Sequence, residues 1–580
     1  MMKHTLYYLL IVLAFASCKK DFLERYPVTE VSPQTFFRTE QDLMLYSNSF
    51  YAYLPGESVI TSDLSSDNIE NGTLDPLVAG SRVVPVTFGE AGWTFNRLRN
   101  INFFLANYGK AQIADAIKNK YAGIARFFRA WYYFDMMKRF GDVPWYSTPL
   151  ETNDPDLYKG RDSRVLITDS ILADLDFAIS TLDATKNNST ITKWTALALK
   201  SRVTLFEGTY RKYHTELNLT SSWQQLLNLC VTASDELMKN GGYTVFFTGN
   251  NFDYRDMFTS TAPNAEVILA THFSTALVRT HNANGIFQVP TQNGTVGFTK
   301  NFVNSYLMRD GSTFLQVPGN DTLEFFEESQ NRDLRFSQTM RTPGYKRIGG
   351  TGVLIPDFVK SPTGYNVTKF VTGVEYDAYN TNINALPVFR YSEVLLNYAE
   401  AKAELGTIDQ ADLDRTINLT RKRGGLPPLT IGSVPLDPSQ QDLYPGISDP
   451  TILEVRRERR IELVMEGFRW NDLMRWKRGP LLQNTFRGMY FGRKGVFDLD
   501  GNGSNDFALV DVLPAPADRL AGIQYFALGT SMKLSETNKG NVIIHPNVNK
   551  VFDEGKHYLY PLPLTELSLN PNLIQNPGWQ

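Results

Sequence analysis

The chain has 580 residues, of which 42% are hydrophobic and 21% are charged, and its formal net charge is −3. A chain of this length and composition can bury a large core, which excludes bulk disorder. The nearly balanced charge argues against a general nucleic-acid binder, since such proteins normally carry a basic excess. Two cysteines are too few for a disulfide-stapled scaffold.

The first 18 residues have the pattern of a bacterial lipoprotein signal. Lys3 precedes an apolar run over residues 6–16, and Ala16 and Ser17 come directly before Cys18. The run is of signal-peptide length and too short to span a bilayer as a helix. We therefore expect a signal peptide over residues 1–17 and lipid on Cys18, which would be the sole membrane anchor. An ordinary secretory signal with an incidental cysteine is the alternative.

Residues 18–37 are polar, contain two prolines and lack a hydrophobic period, so they predict an extended tether that then lies on the body. Residues 38–242 form a mainly helical region in which apolar side chains recur at helical spacing. The helices predicted there span 97–108, 114–140, 163–182, 195–213 and 222–239. Cys230 lies in the last of these, where a small buried hydrophobe is the expected role.

Residues 243–384 are rich in Gly, Pro, Asn and Thr and predict an irregular insertion of loops and short strands. Helical periodicity returns in residues 385–478, with helices predicted at 391–405, 409–423 and 450–477. Residues 479–580 predict an irregular part packed on the helices. Paired helices rich in alanine and aromatic residues are typical of tetratricopeptide-like hairpins. The predicted fold is mostly α, a tetratricopeptide-like scaffold with large loop-rich insertions and a few short strands. A generic helical bundle is the alternative.

The predicted helix over 450–477 carries a glutamate every four residues, at Glu454, Glu458, Glu462 and Glu466, among many arginines. Paired carboxylates can serve glycoside hydrolysis, but arginines at this spacing favour structural ion pairs that keep the acids ionised. We expect these pairs to tie the helix to Glu393 or Glu400. The chain has no HExxH, P-loop or GxSxG motif, and its histidines show no metal spacing, so we expect no enzyme.

One loop has the spacing of a calcium-binding motif. Its oxygen-bearing residues follow the early positions of an EF-hand loop, with a glycine where the sharp turn is needed. These candidate calcium ligands are Asp498, Asp500, Asn502, Ser504 and Asp506. The twelfth position is Leu509 rather than the usual glutamate, so a plain Asp/Gly turn is the alternative. No cofactor is otherwise expected.

Four segments, taken in order, carry a family resemblance. They are CKKDFLE with the proline at 27, ARFFRAWYYFDMMKRFGDVP over 125–144, RYSEVLLNYAEAKAE over 390–404 followed by INLTRKRG, and ERRIELVMEGFRWNDLMRW over 458–476. Together they resemble the SusD/RagB family, the outer-membrane nutrient-binding lipoproteins of Bacteroidetes.

This resemblance implies a cell-surface lipoprotein of the outer membrane with a helical scaffold and an irregular half that carries ligand loops. It also implies that the protein captures oligosaccharides, without chemistry, and delivers them to a SusC-like TonB-dependent transporter. A tetratricopeptide-type adaptor would instead show an exposed peptide groove along the helices. A glycoside hydrolase would show two carboxylates facing each other, roughly 5–10 Å apart.

A glycan site needs flat aromatic faces for sugar C–H surfaces and amides or charged groups for the hydroxyls. Trp93 and Asn96, three residues apart at a helix start, offer such a pair, although Trp93 could equally pack against the following helix. Asp67 and Asn68, in a polar loop, are further candidate contacts for sugar hydroxyls. Phe298, Tyr345 and Tyr365, in the insertion, are further candidate stacking residues.

Overall fold

The N-terminal part of the fold is built from helices. The structure is a computed structural model that describes residues 36–292 and 295–580, so Cys18 and most of the predicted tether lie outside the described residues. A short strand, β1 (Ile69–Asn71), lies between the first two helices. The helices are α1 (Glu40–Asn48), α2 (Pro76–Ala79), α3 (Asn96–Asn107), α4 (Asp115–Phe140), α5 (Arg164–Thr181), α6 (Lys193–Tyr213) and α7 (Trp223–Asn240).

Local sequence signals set the ends of these helices. Ser163 caps α5 by accepting a hydrogen bond from the Leu166 amide, and Thr192 begins α6 with a capping box that involves Thr195. Helix α4 ends at Gly141, whose φ of 74° is readily adopted by glycine alone. The five helices predicted for this region are confirmed to within two residues at each end.

The insertion contains more regular structure than its composition predicts. It holds the short helices α8 (Asp253–Thr259), α9 (Ala283–Phe287), α10 (Lys300–Ser305), α11 (Phe325–Glu328) and α12 (Leu334–Thr339). Its strands are β2 (Val267–Thr271) and β3 (Val296–Phe298), and β4 (Leu386–Arg390) follows it. Strand β3 pairs antiparallel with β1, and β2 pairs antiparallel with β4, so the insertion is joined to both helical regions.

The second helical region is confirmed, but two of its predicted helices are interrupted. The helices are α13 (Tyr391–Glu404), α14 (Gln410–Asp414), α15 (Ile417–Arg423), α16 (Pro438–Leu443), α17 (Pro450–Glu462) and α18 (Arg469–Arg475). The prediction of a single helix over 450–477 is therefore wrong between Glu462 and Arg469. The chain turns there through Met465 and Gly467, at φ values of 62° and 81°, which an α-helix cannot contain.

The C-terminal part, predicted as irregular, contains small sheets. Strands β5 (Arg487–Phe491) and β9 (Gly540–Ile543) pair antiparallel. Strands β6 (Gly495–Phe497), β7 (Phe507–Val510) and β8 (Gln524–Ala527) form a second sheet in which β7 and β8 are parallel. A last helix, α19 (Leu564–Leu569), follows near the C-terminus.

The two largest hydrophobic cores hold these parts together. Helices α4, α5, α6, α7 and α13 pack in succession, and the first core lies between them with a high share of aromatic rings. The second core joins the insertion to the C-terminal sheets through Phe298, Tyr365, Met489 and Phe507. The insertion therefore has a packed interior of its own rather than lying loosely on the helices.

Buried ion pairs link the cores, as the sequence predicts. Glu400 on α13 pairs with Arg475 on α18, which confirms one of the two expected partners. Glu393 pairs with Arg202 on α6 at 2.6 Å, so Glu400 is the one of the two alternatives that holds this helix. Among the described residues, no helix is long and apolar enough to cross a membrane.

Candidate functional site

Three of the predicted ligand contacts lie in the protein interior. Asn68, Phe298 and Tyr365 have 0% exposed surface. The Asn68 side-chain oxygen accepts a hydrogen bond from Arg460 at 2.7 Å, and the Tyr365 hydroxyl donates to Glu328 at 2.7 Å. Because a sugar cannot reach these side chains in this conformation, the prediction that they contact ligand is wrong.

Asp67 and Tyr345 are also engaged with the protein. Arg469 and Arg460 donate to the Asp67 carboxylate at 2.6 and 3.1 Å. Burial would raise the pKa of Asp67, but the two guanidinium groups hold it well below its usual range. Tyr345 is half-buried with its ring near the Arg341 guanidinium. The Asp67 carboxylate is therefore already paired, whereas ligand contact by the half-buried Tyr345 stays a prediction.

Trp93 and Asn96 do lie together, on the wall of a hollow that we call the aromatic cleft, with a volume of about 410 Å³. Trp93 is only 1% exposed, because its ring packs edge-to-face against Phe140 and Phe95 at 4.9 and 5.5 Å. Packing is therefore the main role of Trp93, while Asn96 is exposed. The cleft is lined largely by apolar side chains, including Phe88, Phe95, Leu98, Tyr146, Leu150, Leu157, Tyr158, Leu569 and Leu573.

A second and more polar hollow lies between the insertion and the C-terminal sheets. It has a volume of about 620 Å³ and adjoins another hollow of about 460 Å³. Both are lined by Asn301, Asn304, Leu481 and Asn484, and we call the two adjoining hollows together the polar groove. Other groups along its walls are Asp321, Thr322, Gln440, Asp442, Arg487, Tyr490, Glu536, Lys539 and Asn541.

Helix α10 places the two central asparagines of the polar groove on one side. The Thr299 hydroxyl begins α10 by accepting from the Phe302 amide, and it also donates to the Asp67 carbonyl at 2.8 Å. Arg460 donates to Asn301 Oδ1 at 2.9 Å. Asp67 itself lines the groove, where Arg460 and Arg469 donate to its carboxylate and hold this wall in place.

Asn304 carries an unused acceptor in this groove. Its Oδ1 is buried and, among the described residues, has no hydrogen-bond partner. A buried carbonyl oxygen without a donor costs about 1–3 kcal/mol, so a hydrogen-bond donor that reached this oxygen from the groove would be stabilised there. Tyr490, on β5, is half-buried. Its backbone pairs with that of Asn541 on β9. The groove therefore combines an unpaired acceptor, several amides and the aromatic rings of Tyr490 and Phe486.

The sequence prediction missed the polar groove because its walls come from segments far apart in the chain. Asn301 and Asn304 lie on α10, Asn484 follows α18, and Tyr490 lies on β5. The i,i+3 spacing of Asn301 and Asn304 is the one local signal that could have pointed to it, since it places both amides on one helical face.

A third hollow, the central crevice, lies between α4, α6 and α18, with a volume of about 370 Å³. Its rings include Trp131 and Trp470, and its charged groups largely pair with one another. Asp135, for example, lies 3.0 Å from Arg139 and 3.5 Å from Lys138.

The acids of α17 are structural. Arg335 contacts Glu458 and Glu462 together, at 2.5 and 2.8 Å, and Arg390 contacts Glu462 from the other side at 2.6 Å. Burial would raise the pKa of Glu462, but these arginines and Arg423 lower it to about 2. A general acid must hold a proton near neutral pH, so Glu462 is unsuited to that role.

The predicted calcium loop connects β6 and β7. One oxygen from each of Asp498, Asp500 and Asp506 lies within 4.8 Å of the others. Burial, with the two neighbouring acids, raises the pKa of Asp506 to about 6. Asn502 and Ser504 are exposed on the turn, where Asn502 Oδ1 accepts from the Ser504 amide at 2.8 Å. Leu509 is buried in β7. Calcium binding stays a prediction.

The thiol of Cys230 is fully buried and free, as expected. Burial raises its pKa to about 11, which makes it a poor nucleophile.

Comparison with known proteins identifies the fold. The model of the SusD family matches residues 265–579, and the model of a family described as starch-binding and associating with the outer membrane matches residues 93–205. SusD-like protein P38 of Formosa agariphila is 24% identical, over 83% of this chain and 92% of that protein.

Solved structures agree in fold across nearly the whole chain. A SusD-like protein of Bacteroides fragilis superposes with a TM-score of 0.70 at 22% identity, covering 96% of this chain and all of that one. A SusD-like carbohydrate-binding protein of the same species gives 0.66 at 21% identity, covering 93% of this chain and all of that one.

Proposed function

Since the chain belongs to the SusD family, we propose that it captures an oligosaccharide in the polar groove and performs no chemistry on it. The unpaired Oδ1 of Asn304, in the wall shared by the two hollows, is the observation that carries this proposal. A sugar hydroxyl is a donor of the right kind for this oxygen. The two adjoining hollows, of about 620 and 460 Å³, together leave room for more than one sugar unit.

The groups around Asn304 fit the same ligand. The amides of Asn301, Asn484 and Asn541 supply both donors and acceptors, and the ring of Tyr490 offers an apolar face to sugar C–H groups. Cations and anions are both present on the walls, among them Arg487 and Asp321. This balance favours a neutral glycan over a strongly acidic one.

We also propose that Cys18 carries lipid and holds the protein at the outer-membrane surface, where it hands its ligand to a SusC-like TonB-dependent transporter. The signal pattern before Cys18 and the match to an outer-membrane-associated family support this. Replacing Cys18 with alanine should move the protein from the membrane fraction to the soluble fraction. Affinity purification of the membrane-bound protein should recover a transporter of that class. A Cys18→Ala protein that stays in the membrane would contradict lipid anchoring.

A screen of the protein against oligosaccharides from starch, laminarin, xylan and mucin tests glycan capture. We expect saturable binding to at least one class and recovery of the bound glycan unchanged. Release of shorter products would instead favour a glycoside hydrolase. Failure of every glycan would contradict the proposal.

A peptide-binding adaptor is the second candidate, because the central crevice runs between α4 and α6 with two tryptophans in its wall. Trp131→Ala would then abolish binding of a peptide library and leave the polar groove intact. Peptide binding that depends on Trp131, without any glycan binding, would favour this function over glycan capture.

A further inference from the structure

The central crevice collects positively charged side chains from four helices. The cations that line it are Lys138 and Arg139 on α4, Arg202 on α6, Arg459 on α17 and Arg475 on α18, and the lining acids are Asp135, Glu466 and Asp472. Glu466 is already paired with Lys369 and Arg390, which do not line the crevice, at 2.7 Å each. The lining therefore carries more positive than negative charge.

Two of the lining arginines keep a nitrogen that the protein leaves unused. Arg202 donates to Glu393 and to a backbone carbonyl through Nε and Nη2. Arg459 donates to Asp472 and Asn397 through Nε and Nη1. Among the described residues, Arg202 Nη1 and Arg459 Nη2 have no hydrogen-bond acceptor. Since a guanidinium has five N–H donors, each of these arginines can still donate to a ligand.

Lys138 is held only loosely in this wall. Its ammonium lies 3.5 Å from Asp135, beyond the usual ammonium–carboxylate distance of about 2.7–2.9 Å, and no other carboxylate of the described chain pairs with it. Asp135 is shared with Arg139 at 3.0 Å. Burial lowers the pKa of Lys138, Asp135 opposes this, and the charges of Arg139 and Arg202 lower the pKa further. A bound anion would relieve this repulsion between cations.

Flat rings supply the apolar part of the crevice. Trp131, Trp470 and Tyr560 line it and are half-buried, so each keeps part of its surface uncovered. The Tyr560 amide donates to the Arg139 carbonyl at 2.7 Å, which fixes this ring beside the cations of α4. The volume of about 370 Å³ lies near the lower end of the range for small-molecule sites. The crevice therefore suits a small ligand with an apolar ring.

We propose that the central crevice binds a small organic anion, a carboxylate carried on a ring, with the carboxylate at Lys138 and Arg202 and the ring against Trp131 and Trp470. Carboxylate oxygens accept charge-assisted hydrogen bonds from ammonium and guanidinium groups. The excess of cations selects an anion over a neutral molecule of the same shape. The crevice shares no lining residue with the polar groove, so this site does not rest on glycan capture there.

A matched pair of probes tests this site by isothermal titration calorimetry. 4-Phenylbutyrate and 4-phenylbutan-1-ol share the phenyl ring and the chain length, but only the first carries a negative charge near neutral pH. We expect the carboxylate to bind about tenfold more tightly than the alcohol. Equal affinities for the two probes, or no binding of either, would overturn the proposal.

Variants of Lys138 assign the charge preference to the crevice. Lys138→Gln should remove most of the preference for the carboxylate, whereas Lys138→Arg should keep most of it. Lys239→Gln is the control, because Lys239 is 63% exposed and does not line the crevice, and it should change neither affinity. A carboxylate preference that survives Lys138→Gln in folded protein would contradict the assignment.

Asp135→Asn should act in the opposite direction. The Asp135 carboxylate competes with a ligand for Lys138 and Arg139, and its side chain is 41% exposed, so the substitution should leave the fold intact. It should strengthen carboxylate binding about two- to fivefold and leave alcohol binding unchanged. Unchanged or weaker carboxylate binding in this variant would count against the proposal. Glycan binding in the polar groove should be unaffected by all of these variants, so the two proposals fail independently.

Discussion

At the scale of single residues, Glu462 shows most clearly how charge is used inside this fold. Its carboxylate has 0% exposure and contacts Arg335, Arg390 and Arg423, which come from three different segments. Removing one partner from a buried ion network leaves the others uncompensated, which typically destabilises by about 3–5 kcal/mol. We expect Glu462→Ala to lower the free energy of unfolding in urea by about that amount.

Glu536→Ala is the matched control for this substitution. Its side chain is 60% exposed and pairs with Lys539 at 3.5 Å. Surface pairs contribute about 0–1 kcal/mol, so this variant should unfold close to the wild type. Equal stability of the Glu462 and Glu536 variants would contradict a structural role for the buried network.

The buried carboxylates of Glu462 and Glu400 make the stability of the fold depend on pH. The pKa values of Glu462 and Glu400 are lowered to about 2 from an ordinary value of 4.5, because arginines outweigh the effect of burial. A depressed pKa in the folded state stabilises the protein above the unfolded pKa, and this contribution is lost as the pH falls towards 2. Urea midpoints should be steady above about pH 5 and fall steeply between pH 4.5 and 3. A constant midpoint across that range would contradict the predicted linkage.

The loop at 498–506 gives a separate prediction at this scale. Three close carboxylates repel one another, and a bound calcium ion would relieve that repulsion. About 1 mM calcium should raise the unfolding temperature of the wild type but not of Asp506→Asn, with magnesium as the control ion. If calcium produces neither a thermal shift nor heat in calorimetry, the loop is a plain turn.

At the scale of elements, the turn between α17 and α18 has a specific glycine requirement. Gly467 has φ 81°, and a Cβ atom there would lie 3.2 Å from Ser62 Oγ. Gly467→Ala should therefore destabilise the protein by about 1–2 kcal/mol. Gly109→Ala is the control, since Gly109 has no positive φ and open space around it. If urea denaturation gives the same midpoint for both variants, the turn does not depend on glycine.

This turn also shows where prediction from sequence ends. Hydrophobic periodicity located α3 to α7 and α13 well, and caps or glycine stops mark an end of each of them except α3. Near the break after Glu462 the local signal is Gly467, which lies beyond the end of α17 and so does not mark where that helix stops. The Met465 amide donates to Asp63 Oδ2 at 2.8 Å, a contact between residues about four hundred positions apart in the chain. Tertiary contacts of this kind override a helical pattern.

The candidate site was predictable only in part for a similar reason. Aromatic residues in loops can stack on a ligand or fill a core, and Phe298 and Tyr365 fill the second core. The sequence around an aromatic residue does not separate ligand stacking from core packing, because large rings flanked by polar residues occur in both. The polar groove depends on which segments meet, and that is decided by packing between the insertion and the C-terminal sheets.

At the scale of the whole molecule, the two cores and the ion network join helices, insertion and C-terminal sheets into one frame for the polar groove. Arg460 illustrates the connection, since it lies on α17 and contacts Asn68, Asp67 and Asn301. The scaffold thereby fixes the groove wall before any ligand arrives. A preformed site lowers the ordering cost of binding a flexible glycan.

The most direct test of this account is calorimetric titration of a glycan from the binding screen into the wild type and three variants. Asn304→Ala and Tyr490→Ala should each weaken binding about three- to tenfold. Tyr379→Ala should leave it unchanged, since this tyrosine is 68% exposed and does not line the polar groove. Wild-type affinity in both groove variants, with their folding intact, would contradict glycan capture in the polar groove.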